Sequence, residues 1–360
     1  MWNRFVKITT FWASKLLARL LPPRPQPLPR QARLILVFST IGIGDGLFDS
    51  AAIHSLKLGH PSAKLIVCAH RTRQAVALHN PFVDEVVPFG KSPLRQLRLF
   101  WRFRRNRPDL VVVLHVNEEV YPLAYWINRD ATVTFANLYE RFAFLAAHPV
   151  KVEDAQHLVV MPLKLAQYAG GSAVAPRMIY QVKAEESVAI RRRFADWIDH
   201  PYVVFQTGGG RIFFWRDWPV ENYVTILRWF SDHFPHKVIL TGGVENLERA
   251  NAMERACPGV INLAGKTTLV ETAALLQLTK MLLTTDTGIL HLGFALGCRV
   301  VCLLHDLCPA ENLCPLDKSA RYIALQLKRS HPRPPPNARD MEGISSDEVK
   351  RAIAGMLAAP

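Results

Sequence analysis

Nine short runs rich in Val, Ile and Leu, each set off by stretches of helical periodicity, constrain this 360-residue chain more than any other feature. A strand covered on both faces reads as a continuous apolar run, and alternation with helices lays such strands side by side in a parallel sheet. Arg33–Phe38, Lys64–Ala69, Val83–Val87 and Leu110–Leu114 make a first series, with a helix over Leu47–Leu58 that ends near Gly59. Tyr202–Gln206, Lys237–Thr241, Val260–Leu263, Met281–Thr285 and Arg299–Leu304 make a second. Two series predict two Rossmann-like α/β domains, residues 31–172 and 173–340, parted near Gly170–Pro176. Residues 341–360 close the chain with a helix, since Ser345 followed by Glu348 is a capping box.

Charge narrows the partners. Lys and Arg number 44 against 30 Asp and Glu, a net +14, which favours nucleic acid, an anionic membrane surface or a phosphorylated small molecule. Residues 1–30 carry Arg4, Lys7, Lys15, Arg19, Arg24 and Arg30 with no acid. In residues 2–21, Trp2, Phe5, Thr9, Trp12, Leu16 and Leu20 share one helical face and the first four cations another, as in a helix lying on anionic headgroups. Five prolines between Pro22 and Pro29 form a stiff spacer, expected to hold that helix away from the first domain. No apolar run is long enough to span a bilayer, and no secretory leader is expected, so the chain reads as cytoplasmic and peripheral to the inner face of the cytoplasmic membrane. A second acid-free run, Lys91, Arg95, Arg98, Arg102, Arg104, Arg105 and Arg107, is interleaved with Phe100, Trp101 and Phe103 and is read as facing anionic glycolipid or membrane; nucleic acid is not an expected partner. Six cysteines, at 68, 257, 298, 302, 308 and 314, lack paired metal-site spacing and read as free thiols.

The chemistry gathers in glycine-rich loops. Ser39–Gly46 follows the first strand with Gly42, Gly44 and Gly46, yet the third glycine of a dinucleotide fingerprint would fall on Leu47, and Cys68-Ala69-His70 offers no acid for a ribose. Asp45 lies in this loop, where it suits either a general base or a helix N-cap. In the second series Thr207–Gly210 is followed by Arg211 and Arg216 before Trp218-Pro219, a loop suited to a diphosphate. Asp286, Thr287, Gly288 and His291 straddle a strand end and a helix start, where N–H groups and a partly cationic imidazole could hold an anion; a capping Asp and a packed His fit equally well.

Taken together, Ile-Gly-x-Gly-Asp at 41–45, Leu-Lys-x-x-x-Pro-x-Ala at 56–63, Asn80–Val86, Arg107–Leu110, Thr207-Gly208, Trp218–Tyr223, Thr241–Gly243, Asn262–Leu269 and Asp-Thr-Gly-x-x-His-Leu at 286–292 resemble glycosyltransferase family nine, the lipopolysaccharide heptosyltransferases. The resemblance covers about residues 32–357. It implies a GT-B architecture, two Rossmann-like domains facing across a cleft, and inverting transfer of heptose from ADP-heptose to an anionic lipopolysaccharide-core or related glycan acceptor, with no metal or cofactor. On it, Asp45 is the base. Thr207, Gly208, Arg216, Asp286, Thr287, Gly288 and His291 hold the donor, with Glu245 or Glu248 on the nucleoside. Arg71, Arg73, His115, Asn117 and Glu118, which follow strands of the first series, are expected to line the acceptor side. Arg216 stands where the family usually has Lys, and Leu304–Pro309 replaces a Phe-Gly-Pro turn. A different nucleotide-sugar donor and a catalytically silent nucleotide- or glycan-binding protein at the membrane are the competing readings.

Overall fold

The computed structural model describes residues 4–90, 92–115, 119–136, 142, 144–152, 157–317, 321–328 and 340–358, with the side chains of 4–10, 211 and 212 left aside. The chain divides into two compact units, Met1–Met178 and Ile179–Pro360.

The first unit carries six parallel strands: β1 (Leu34–Ser39), β2 (Lys64–His70), β3 (Glu85–Phe89), β4 (Leu110–Val113), β5 (Thr132–Phe135) and β6 (His148–Val150), in the order β3-β2-β1-β4-β5-β6. Around them lie α1 (Arg4–Leu20), α2 (Ile43–Phe48), α3 (Ser50–Gly59), α4 (Gln74–Leu78), α5 (Pro93–Arg105), α6 (Val120–Asn128) and α7 (Val160–Tyr168). Side chains alternate across the sheet, so Ile35, Val37, Leu65 and Val67 enter one core while Leu36, Phe38, Ile66 and Cys68 enter the other. That double burial is why these strands read as unbroken apolar runs.

In the second unit β7 (Tyr202–Gln206), β8 (Lys237–Thr241), β9 (Ile261–Asn262), β10 (Leu282–Thr285), β11 (Val300–Leu304) and β12 (Tyr322–Gln326) pair in the order β12-β11-β10-β7-β8-β9. Its helices are α8 (Ala184–Arg193), α9 (Val220–His233), α10 (Leu247–Ala256), α11 (Leu269–Leu278), α12 (Gly288–Ala295), α13 (Ala310–Leu313) and α14 (Ser346–Ala358). Both anticipated capping boxes form: Glu271 N donates to Thr268 Oγ1 at 3.2 Å, and Glu348 N to Ser345 Oγ at 3.3 Å. The two sheets share one topology. In each, the strand order reverses beside the unit's first strand, between β1 and β4 and between β7 and β10, and open α/β sheets bind ligands outside the strand ends at such switch points.

Three expectations change. β5, β6 and β12 join the sheets although Thr-Val-Thr-Phe and His-Pro-Val are too short and mixed to stand out in sequence. The helix expected over Leu47–Leu58 is two helices, α2 and α3, meeting at Asp49, so Asp45 sits inside the first turn of α2. Finally, α1 is docked on the first unit rather than held away from it. The Phe11 ring meets Phe142 edge-on at 5.6 Å, and Leu17 and Ala18 pack against the cluster of Tyr121, Tyr125, Phe142 and Leu145. The proline segment is anchored too, with Arg24 N donating to Asp130 Oδ1 at 3.0 Å. Among the described residues no helix is long and apolar enough to cross a membrane.

Candidate active site

At the switch point of the first unit, the chain leaves β1 and turns straight into α2. Gly42 is the extended N-cap residue, and Asp45 closes the turn by accepting a hydrogen bond from Gly42 N on Oδ2 at 2.8 Å. One carboxylate oxygen therefore does the capping that the sequence had left open as the alternative to catalysis. One turn on, the carboxylate of Asp49 is wholly buried, accepting from Ser39 Oγ at 2.6 Å and lying 2.8 Å from His115 Nε2 beyond the end of β4. The same His115 nitrogen is 3.3 Å from the main-chain oxygen of Asp45. Burial works against the imidazolium, but the charge and hydrogen bond of Asp49, with Asp45 adding to both, override it and hold His115 up at about 9. Burial pushes the Asp49 carboxyl up, and the imidazolium opposes that shift.

Arg73, in the short turn Arg71–Arg73 after β2, donates to the main-chain oxygen of Ile41 and so joins the same loop. Arg71 is exposed beside it. A small crevice lined by Ile41, Gly42, Gly46, His70, Arg73 and Asn80 opens there. Asn117 and Glu118 lie outside the described residues. Asp49 escaped the sequence reading because nothing in an acid at the end of a six-residue helix announces a partner 66 positions away.

The second unit builds its site on the loops after β7 and β10. A fully buried Trp218, whose Nε1 donates to Ile344 O at 3.0 Å, anchors the chain after the turn Arg211–Arg216. Arg216 is thereby laid over the rings of Phe213 and Trp215, 4.3 and 4.7 Å from their centres, with Nη1 2.8 Å from Asp286 Oδ2. His291 Nε2 stands 3.4 Å from the other oxygen of Asp286. Burial alone would raise the Asp286 pKa, yet the hydrogen bond and charge of His291, together with the charge of Arg216, hold it at about 2. Thr287 is the extended N-cap of α12 and makes no side-chain cap, which leaves the first N–H groups of that helix to an anion.

Thr207 is buried, its hydroxyl donating to Thr241 O at 3.0 Å, so it holds β7 to β8. Gly208 is closely surrounded: a Cβ there would lie 2.9 Å from Asn246 Nδ2 and 3.1 Å from Asp217 Oδ2, so these side chains would have to shift. Three residues without a motif clasp this loop. Asp217 accepts from Gly209 N at 2.7 Å, Asn246 donates to Gly209 O at 3.0 Å, and Arg249 Nε donates to Thr207 O at 2.8 Å. Glu245, in the turn directly after the glycines that follow β8, and Glu248, in the first turn of α10, are both exposed. In the segment Leu304–Pro309, His305 is buried between Asp306 and Asp340 at 2.9 and 3.0 Å, and Trp215 packs edge-on against it. All six cysteines are free, and among the described residues no three His, Cys, Asp or Glu side chains converge as a metal-holding group.

Two Rossmann-like units in one chain, each with its polar loops at the switch point, match the GT-B architecture that many glycosyltransferases use. The profile of glycosyltransferase family 9 (heptosyltransferase) matches residues 98–336, more than half of the chain, and the protein belongs to that family. It is 24% identical over 311 residues to the lipopolysaccharide heptosyltransferase 2 of Salmonella typhimurium, covering 81% of this chain and 88% of that one. Among solved structures, a family 9 glycosyl transferase from Veillonella parvula superposes with a TM-score of 0.75 at 18% identity, over 91% of this chain and 98% of that one. The E. coli ADP-heptose lps heptosyltransferase II superposes with a TM-score of 0.72 at 20% identity, over 90% and 98%. These likenesses carry the fold; the chain is a glycosyltransferase by family.

Proposed function

We propose that the protein transfers heptose from ADP-heptose, with inversion and without metal, to an anionic acceptor of the lipopolysaccharide core or a related glycan. The observation that carries this reading is Arg216, paired with Asp286 beside the uncapped start of α12, a set that suits a diphosphate. Support for ADP-heptose and lipopolysaccharide comes from the names of the relatives.

On this reading the donor diphosphate lies over the N–H groups of Thr287 and Gly288, and Arg216 neutralises the charge that grows as the anomeric C–O bond breaks. Asp286 and His291 hold Arg216 and the helix start in register, and Thr207 and Gly208 shape the opposing loop. Glu245 or Glu248, both exposed just after the glycines that follow β8, contacts the nucleoside. Asp45 accepts the proton of the acceptor hydroxyl while that oxygen forms the new bond, so a single displacement inverts the anomeric centre. Arg71 and Arg73 offer cations to the acceptor's acidic groups.

Residues 1–21 place the enzyme on an anionic membrane surface at the cytoplasmic face, a placement supported by the exposed Trp12, Leu16 and Leu20 on a helix with Lys15 and Arg19. Asp45→Asn tests the assignment: transfer from ADP-heptose should fall by about 10²–10⁴-fold with ADP affinity unchanged. A wild-type protein that binds ADP but turns over no nucleotide-sugar would make it a silent binding protein instead.

A further inference from the structure

We propose that Asp49 and His115 form a buried ion pair that positions Asp45, pinning the turn that carries it and keeping a cation beside it. The inference rests on the reading of Asp45 as the base. Three elements of the first unit meet in this pair. Ser39, at the end of β1, donates to Asp49 Oδ2 at 2.6 Å; Asp49, at the end of α2, lies 2.8 Å from His115 Nε2; and His115 follows β4. Asp49 N also donates to Asp45 O at 3.0 Å, and His115 Nε2 is 3.3 Å from that same oxygen. A carboxylate with no solvent exposure must be paired, and breaking such a pair leaves an uncompensated buried charge. The arrangement therefore fixes the two ends of the turn on which Asp45 stands.

The charged groups acting on His115 are Asp49 and Asp45; Arg73 reaches the far end of the same loop, and Glu119 opens α6 four residues further along. Above the titration of Asp49, which burial raises from the ordinary carboxylate value, and below about pH 9, both partners are charged. Above that, His115 loses its proton, Asp49 loses its counter-ion and the turn loosens. His115 reaches Asp45 through Asp49 and through the main-chain oxygen of Asp45, so its role is positioning.

The experiment uses the full chain. Nitrogen-15 NMR of the histidine rings in the wild-type protein should show His115 titrating near 9; titration at or below the ordinary value of about 6.5 would overturn the pair. This readout needs no turnover, so it stands apart from a failure of the proposed reaction. In a transfer assay, kcat of the wild type should decline on an alkaline limb near pH 9. Asp49→Asn should move that limb to lower pH, because burial of the imidazole is then opposed only by Asp45. His115→Gln should lower kcat and abolish the limb while ADP affinity stays within twofold. A uniform loss of kcat with a wild-type-shaped pH profile in both variants also overturns the proposal. Should either variant fail to fold, Ser39→Ala keeps both charges and removes one hydrogen bond from Asp49; it should raise the His115 titration slightly, and no change there counts against the network.

Discussion

Asp286 and Arg216 show at the scale of single residues how a cation is held ready beside a buried carboxylate. The guanidinium is stacked on two rings and tied to a carboxylate, so its orientation is set before any ligand arrives. Arg216→Ala should cost about 10²–10³-fold in kcat by removing charge stabilisation of the departing diphosphate. Arg216→Lys should recover only part of it, since an ammonium keeps the charge but loses the planar fork; full recovery in steady-state kinetics would show that charge alone matters. The pH dependence follows from Asp286. Its folded pKa is depressed to about 2, so its stabilising contribution is present above the ordinary carboxylate value and is lost as pH falls through about 2. ADP affinity should therefore show no step from Asp286 between about pH 4 and 8 in calorimetric titrations.

Helix α1 illustrates how one element serves two surfaces. Phe11, Leu17 and Ala18 cover Tyr121, Tyr125, Phe142 and Leu145, while Trp12 and Leu20 remain 60% and 71% exposed. Removal of residues 1–30 should thus lower the melting temperature, by uncovering aromatic side chains that the fold otherwise keeps from water. An unchanged melting curve would mean that the docked face contributes nothing. A second exposed apolar set lies on α5, which shows Leu94, Leu97 and Trp101 among its arginines, and Phe100 links it through a ring contact of 6.5 Å to the exposed Trp126 of α6. The full chain should bind vesicles containing anionic lipid, less tightly as salt rises, and the paired change Trp12→Ser with Trp101→Ser should weaken the salt-resistant part. Equal binding to neutral vesicles in a sedimentation assay would remove the electrostatic half of that argument.

At the scale of the whole molecule, one topology used twice gives two switch points with different chemistry. The first unit supplies a carboxylate and an imidazole, the second an arginine and a helix start. A ligand that binds only the folded state stabilises it by about 2.7 kcal/mol at a hundredfold excess over Kd, so ADP should raise the melting temperature in buffer containing a chelator. Stabilisation that appears only with added Mg²⁺ would refute the replacement of metal by Arg216 and the α12 start. A larger shift with UDP would leave the fold in place and remove ADP-heptose as donor.

The double burial of each sheet made the strands legible in sequence, because a strand covered on both sides needs apolar residues at every position; β1, β2, β4, β7, β8, β10 and β11 could be read to within a residue or two. Local chemistry was legible for the same kind of reason: Thr268 with Glu271 and Ser345 with Glu348 specify their helix starts within four residues. What the tertiary structure decided is everything that depends on distant partners. Asp45 caps its own turn as well as standing at the switch point, Asp49 finds His115, Arg249 clasps Thr207, and α1 finds Phe142 and Tyr125 across a proline segment that, by composition, reads only as a spacer. A one-dimensional pattern records which face of an element is apolar; which surface covers it, and which charge answers a buried charge, are set when the strands take their order in the sheet.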